Sequence, residues 1–311
     1  KYKFTYSILY NNSKYMKIYD SFMYFDEDLL LDLRLNVLDK YVSKFIITEA
    51  KYTHNGSKKE LRFDIGKFKK FKDKIKYIVV DKQPPDIIKI NADDGEERKS
   101  RKLILNGYIR DNYQRNRLSD GLVEASDDDI ILVSDLDEIP NLKNLNFSKI
   151  KNKIIQFKQK MFYYKFNLHY AGFDWYGSKA CKKKNLISPQ WLRNIKSKKY
   201  SKFRLDLLFN KKKYNDIFYV LDGGWHFSSI RTPDELEYKL LNFAHHYEFE
   251  ESGLKKEDLK KLILEKRVMY DHNVDRKGFK WSGKDKLSKI SHLELPDYIN
   301  SNNNKYRNWL D

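Results

Sequence analysis

One run of apolar residues ending in carboxylates, DDDIILVSDLDEIP at 127–140, constrains this chain more than any other stretch. Ile130, Ile131, Leu132 and Val133 are continuous and β-branch-rich rather than alternating, which is the pattern of a strand covered on both faces. Asp135, Asp137 and Glu138 arrive where that strand must end, and Pro140 stops its continuation. Carboxylates packed at the mouth of a buried strand are costly unless something cationic sits among them. Acidic residues also cap strands and open turns with no ligand involved, so the D-x-D spacing alone leaves both readings open.

The flanking sequence places this strand in an alternating order. Residues 17–25 read as a strand, and 26–41 as a helix with Leu30, Leu33, Val37 and Tyr41 on one face and acids in its first turn. Strands follow at 44–50 and 74–81, then a helix over about 97–122. Strand and helix in alternation predict an α/β fold around a parallel or mixed sheet. After Pro140 the texture changes: 153–170 is aromatic-rich and reads as strand, and 216–230 as a strand, a glycine turn and a second strand or loop. Thr232 and Pro233 supply the N-cap and first position of a helix, and another helix follows over about 254–270. The last residues, NSNNNKYRNWLD, read as a frayed tail, giving an extension at 1–16, one domain at 17–295 and a tail at 296–311.

Composition narrows the partners. Among 311 residues, 41% are hydrophobic and 15% aromatic, a folded composition in which 23 Tyr and 19 Phe can build a core or stack on sugars. A net charge of +18 favours an anionic partner, although most of the scattered lysines read as solvated surface. The basic surface is compatible with peripheral contact with a membrane. The single cysteine, Cys181, permits no intramolecular disulfide and no zinc-finger spacing. With no apolar run of membrane-spanning length and no signal-peptide pattern, the expected location is cytoplasmic.

Ligands of an open α/β sheet bind outside the carboxyl ends of its strands, where Glu49, Asp81, Asp135 and Asp137 all fall. Hard carboxylate oxygens suit magnesium or manganese, which bridge to substrate phosphates, so a nucleotide-diphosphate donor is the natural substrate. Gly223 and Gly224 allow close backbone approach, and His226 beside them is either a ligand or a satisfied core histidine.

Taken in order, the segment from Ile18 to Phe63, QRNRL, DDDIILVSDLDEIP, MFYYKFNL and GGWHFSSIRTPDELEYKLLNFAH resemble the glycosyltransferase family 17 pattern, from about Lys17 to about Arg276. The resemblance implies a single-domain GT-A type fold, a Rossmann-like mixed sheet flanked by helices with an aromatic-rich acceptor side. It also implies a UDP-N-acetylglucosamine donor, Mn2+ or Mg2+, and inversion at the anomeric carbon. Asp135 and Asp137 match the family's D-x-D, with Asp137 expected on the metal, Asp135 on the metal or ribose, and His226 as a further ligand. Glu49, Gly56, Arg115, Gly224, Trp225 and Arg276 are expected at the nucleotide or its diphosphate. Tyr163, Tyr164, Trp175 and Trp225 are candidates for sugar stacking. The base is expected among Asp234, Glu138 and Glu235, with Asp234 placed first. The acceptor is a glycan on a glycoprotein, a lipid carrier or a surface polysaccharide, and no nucleic acid is expected. A two-metal phosphoryl-transfer enzyme and a glycan- or nucleic-acid-binding protein with a vestigial site are the rival readings.

Overall fold

A computed structural model describes residues 16–198, 200, 213–242, 246–272, 280–281 and 283–311. Twelve strands form among them: β1 Ile18–Met23, β2 Lys44–Ala50, β3 Ile75–Val80, β4 Ile130–Val133, β5 Glu138–Pro140, β6 Ile154–Phe157, β7 Gln159–Tyr163, β8 Leu168–Trp175, β9 Lys179–Lys182, β10 Ile217–Val220, β11 Gly224–Ser228 and β12 Ser288–Lys289. The helices that position the cleft are α1 Asp28–Leu38, α2 Glu96–Asn116, α3 Pro189–Asn194, α4 Pro233–Asn242, α5 His246–Ser252 and α6 Lys256–Leu264.

The expected mixed sheet is present, in the order β10-β6-β9-β4-β1-β2-β3. β4, β1, β2 and β3 run parallel, while β9 lies antiparallel to both β4 and β6. Every side chain of β4 is buried, as its unbroken apolar run requires. The sequence did not disclose a second sheet, β12-β8-β7-β11-β5. The single strand expected over 153–170 is in fact β6, β7 and the start of β8, divided between the two sheets. Continuous aromatic sequence hides such breaks, because both sheets bury similar side chains.

α1 covers the first sheet with Leu30, Leu31, Leu33, Leu35 and Leu38, and is buried further round its circumference than one stripe. Arg34, on the same helix, is fully buried and ion-pairs with Asp20 of β1 at 2.6 Å. The residues expected to fray do not: Tyr306 is fully buried, and the Trp309 carbonyl accepts from the Phe166 amide at 2.8 Å. Phe22 and Phe45 of the first sheet, Phe162 and Phe227 of the second, and Tyr306 belong to one core, so the two sheets form one domain.

Candidate active site

The D-x-D turn leaves the first sheet and enters the second. β4 ends at Val133, Asp135–Asp137 turn, and β5 pairs antiparallel with β11, setting His226 opposite Glu138. Arg34 holds the turn from beneath, donating from Nη1 to the carbonyls of Asp135 (3.1 Å), Leu136 (3.3 Å) and Glu138 (2.6 Å). Three backbone acceptors on one buried guanidinium fix the direction in which both aspartate side chains leave the chain.

The turn lines a cleft of about 860 Å³. Asp135 Oδ1 accepts from Arg115 Nη2 at 3.0 Å, and Oδ2 from Arg193 Nη2 at 2.7 Å. Arg115 also grips Asp111 at 2.6 Å, and Asp111 lies 3.9 Å from His54. Burial alone would raise the Asp135 pKa, but the two guanidiniums outweigh it and hold the carboxyl well below the usual range. Asp137 is placed differently: its nearest cations are His226 Nε2 at 3.6 Å and Lys239 Nζ of α4 at 3.8 Å. Burial opposes ionisation there too, and His226 and Lys239 together lower its pKa. His226 shows the converse, since burial would lower its pKa and the carboxylates of Asp137, Glu138 and Asp135 raise it.

A second side of the cleft is aromatic. Trp175 of β8 lies over the His226 ring at 5.0 Å between centroids, and Phe173 stacks on His272 at 5.0 Å. Tyr163 hydroxyl is 2.7 Å from His272 Nε2, and Tyr270 meets the His272 ring edge-on at 4.9 Å. Burial, helped by the charges of His226 and Lys280, pushes the His272 pKa down to about 3, so His272 is uncharged at neutral pH. Contacts thus run His54–Asp111–Arg115–Asp135 on one side of the turn and Asp137–His226–Trp175–His272 on the other.

Asp135, Asp137, Arg115 and His226, with Tyr163 and Trp175 of the stacking candidates, are brought into the cleft lining. Several other expected residues are placed elsewhere. Glu138 is fully buried and accepts from Trp175 Nε1 (2.5 Å), Arg193 (3.0 Å) and the Asp135 amide (2.8 Å), so its carboxylate holds the turn and lies outside the cleft lining. Asp234 is 68% exposed and ion-paired with Lys256 of α6 outside the cleft. Glu235 closes a capping box, accepting from the Thr232 amide at 2.9 Å, so its acid serves the helix end. Glu49 is buried under the cleft wall, accepting from Lys59, the Arg62 amide (2.8 Å), the Phe63 amide (3.0 Å) and Tyr77 (2.9 Å); it orders a loop and does not line the cleft. Gly56 turns the loop over the Arg110 guanidinium at φ +99°, where a side chain would meet that group. Gly224, at φ +109°, packs against the Ile139 carbonyl to let β11 reach β5, and Trp225 donates to the Glu294 carbonyl at 2.7 Å behind the cleft. Tyr164 lies in the core, with its hydroxyl on the Arg267 carbonyl at 3.0 Å. Arg276 lies outside the described residues.

Sequence reading missed Arg34, Arg193 and Lys239. Arg34 carried a signal, an arginine inside an otherwise leucine-rich helical face. Arg193 came from a basic stretch with no assigned element and carried none.

Whether a divalent ion fits can be judged from the donors. Among the described residues no group of three His, Cys, Asp or Glu side chains is gathered in metal-binding fashion. Ions of the magnesium class need only one or two protein oxygens when phosphates and water complete the shell. Asp137 meets that need, and His226 beside it has a buried Nδ1 with no partner. Asp135 is already engaged by two guanidiniums. Around the turn, Arg115 and Arg193 face Asp111, Asp135 and Glu138, two cations against three anions. The donor set at Asp137 and His226 fits one divalent ion.

Comparison with known proteins decides the family. A family model described as Glycosyltransferase family 17 matches residues 8–311. The chain belongs to glycosyltransferase family 17. This is the family that the sequence resemblance named. A Homo sapiens protein named beta-1,4-mannosyl-glycoprotein 4-beta-N-acetylglucosaminyltransferase is 29% identical over 129 residues, 39% of this chain and 21% of that protein. A Rattus norvegicus protein of the same name matches to the same extent, 29% over 129 residues. The match thus spans about a fifth of the length of these curated relatives. No solved structure matches the chain at comparable stringency.

Proposed function

We propose that this family 17 member transfers N-acetylglucosamine from UDP-N-acetylglucosamine to a hydroxyl of a glycan, with inversion and with a divalent ion, on a GT-A type framework. The observation that carries this reading is the D-x-D turn at the carboxyl end of a buried parallel strand, set between a polar side of the cleft and an aromatic one. The donor sugar follows the N-acetylglucosaminyltransferase name of the two relatives.

The polar side, with Thr53, His54, Asp111 and Arg115 at the ends of β2 and α2, takes the nucleotide. Asp137, with His226, would hold Mn2+ or Mg2+, which supplies charge to offset the diphosphate. Trp175, Phe173 and His272 offer ring faces to the C–H face of an acceptor pyranose, and with no charge on His272 the wall favours a neutral sugar. A glycan of a glycoprotein is the acceptor class that the relatives' name supports. Arg193 and Arg115 orient the turn through Asp135, while Glu138 fixes Trp175 through its indole N–H. The acceptor proton passes to a carboxylate other than Asp234, Glu235 and Glu138.

The test is a screen of nucleotide sugars with manganese, reading UDP release and binding. UDP-N-acetylglucosamine should be selected, and Asp137→Asn should lose about two to four orders of magnitude in rate with its thermal unfolding unchanged. Full turnover in excess chelator, or equal turnover by Asp137→Asn, would refute the metal assignment. Selection of another nucleotide sugar would refute the donor.

A further inference from the structure

We propose that Lys239 is a catalytic residue of this transferase, its ammonium donating hydrogen bonds to the donor's diphosphate as the sugar leaves it. The inference rests on the nucleotide-sugar reading above and adds to it a group that neither the motif nor the family match singles out.

Apart from Lys196 at its rim, the other cations in and beside the cleft are already committed. Arg115 is bonded to Asp111 and Asp135, and Arg193 to Asp135 and Glu138. Lys59 is held by Glu49, and Lys179 Nζ donates to the carbonyls of Arg193 (2.5 Å) and Ile195 (2.6 Å). Arg231 is consumed by Asp26 and by Glu27 at 3.0 Å. Lys196 lies at the exposed rim.

Lys239 differs from all of these. Its ammonium stands 3.8 Å from Asp137 Oδ2 and 3.9 Å from Glu27 Oε1, beyond hydrogen-bond distance of either. It is attracted to both carboxylates and bonded tightly to neither, so its three N–H donors remain available to an acceptor entering the cleft. Its position is nonetheless fixed. Leu236 and Leu240, on the buried face of α4, anchor the turns either side of it, and the Asn55 amide donates to the Leu241 carbonyl at 3.0 Å. The side chain is 25% exposed, open to a ligand and shielded enough for its charge to act at short range.

Charge explains why a cation is needed there. Asp26, Glu27 and Asp137 face Arg231, Arg62, His226 and Lys239, and loss of Lys239 would leave these three carboxylates repelling the diphosphate that must sit beside them more strongly. In the transfer, the bond from the anomeric carbon to the β-phosphate oxygen breaks, and its electron pair stays on that oxygen. The bond from the acceptor oxygen forms, and the acceptor proton passes to a carboxylate. Lys239 gives up no proton; it stabilises charge that grows on the leaving oxygen and so lowers the barrier.

The experiment compares UDP with uridine, binding to the full chain with and without manganese, followed by donor turnover. In Lys239→Met, UDP should bind roughly 10- to 100-fold more weakly, the size of a hydrogen bond to a charged group, and uridine should bind as before. Turnover at saturating donor should fall by about 10²-fold, and Lys239→Arg should recover part of both losses. Unchanged UDP affinity and turnover in Lys239→Met would overturn the proposal. So would equal losses for UDP and uridine with a lowered unfolding temperature, which mark a structural role. If Lys239→Met does not fold, Lys239→Gln keeps the stem and carries the same comparison. Wild type that fails to bind UDP at all would instead bring down the donor reading, an outcome visible before any variant is made.

Discussion

At the scale of single residues, the cleft depends on buried charge whose partners are fixed by geometry. Arg34 and Asp20 are both fully buried, and Arg34 also carries three carbonyls of the D-x-D turn. Removing one partner strands the other's charge in the core, so Arg34→Met should cost about 3–5 kcal/mol in urea unfolding. Asp20→Leu added to Arg34→Met should recover a large part of that stability but not the activity, because the turn has then lost its anchor. A double variant no more stable than Arg34→Met would show that the carbonyl contacts, and not the ion pair, dominate. Cys181 gives a second prediction. Burial pushes its thiol up to about 12, so at neutral and mildly alkaline pH it is protonated and enclosed. Iodoacetamide should leave the native protein unmodified, and labelling should appear only as the chain unfolds in urea.

At the scale of elements, legibility followed burial pattern and local chemistry. β2 was readable to its ends because its apolar run is short and bounded, and α4 because Thr232 and Pro233 announce its start. The division of 153–170 between two sheets was not readable, since aromatic residues are buried on either sheet and no turn residue marks the change. The D-x-D turn was legible as chemistry, yet the roles within it were not: whether an acid points to a cleft or into a clasp depends on partners remote in sequence. Glu138 is the example, engaged by Arg193 from a helix 55 residues away. That helix, α3, is itself held by Lys179, whose burial and proximity to Arg193 bring its pKa down to about 7. An unfolded lysine titrates near 10.4, so between about pH 7 and about pH 10.4 the unfolded chain binds more protons than the folded one. Stability from this group therefore rises with pH across that window, and is least below it. Urea unfolding at about pH 7 and about pH 9.5 should show a rise in wild type that is smaller in Lys179→Met. An equal rise in both proteins would locate the effect at other groups.

At the scale of the molecule, both sheets and the C-terminal residues share one core, which is why the cleft between them is well defined. Phe166 connects the second sheet to the chain end: its ring meets Phe227 at 4.9 Å and Tyr306 at 5.5 Å, both edge-on. The Tyr306 hydroxyl reaches Asp32 of α1 at 3.1 Å, so one side chain touches the layer over the first sheet and the aromatic centre of the second. The polar, asparagine-rich composition around it suggested a frayed end, and the misreading has a physical source. A single buried aromatic can fix a short segment whose other residues are solvated, and composition averages that signal away. Tyr306→Ala should thus cost about 3–5 kcal/mol, as for other large aromatic truncations. Because the core is shared, the loss should appear as one transition. Tryptophan fluorescence, which reports all five tryptophans, Trp175 and Trp225 of the second sheet among them, and far-ultraviolet circular dichroism, which reports both sheets, should shift together in urea. If the fluorescence transition moved to lower urea while the dichroism stayed in place, the second sheet would be unfolding by itself, and the single shared core would be the wrong description.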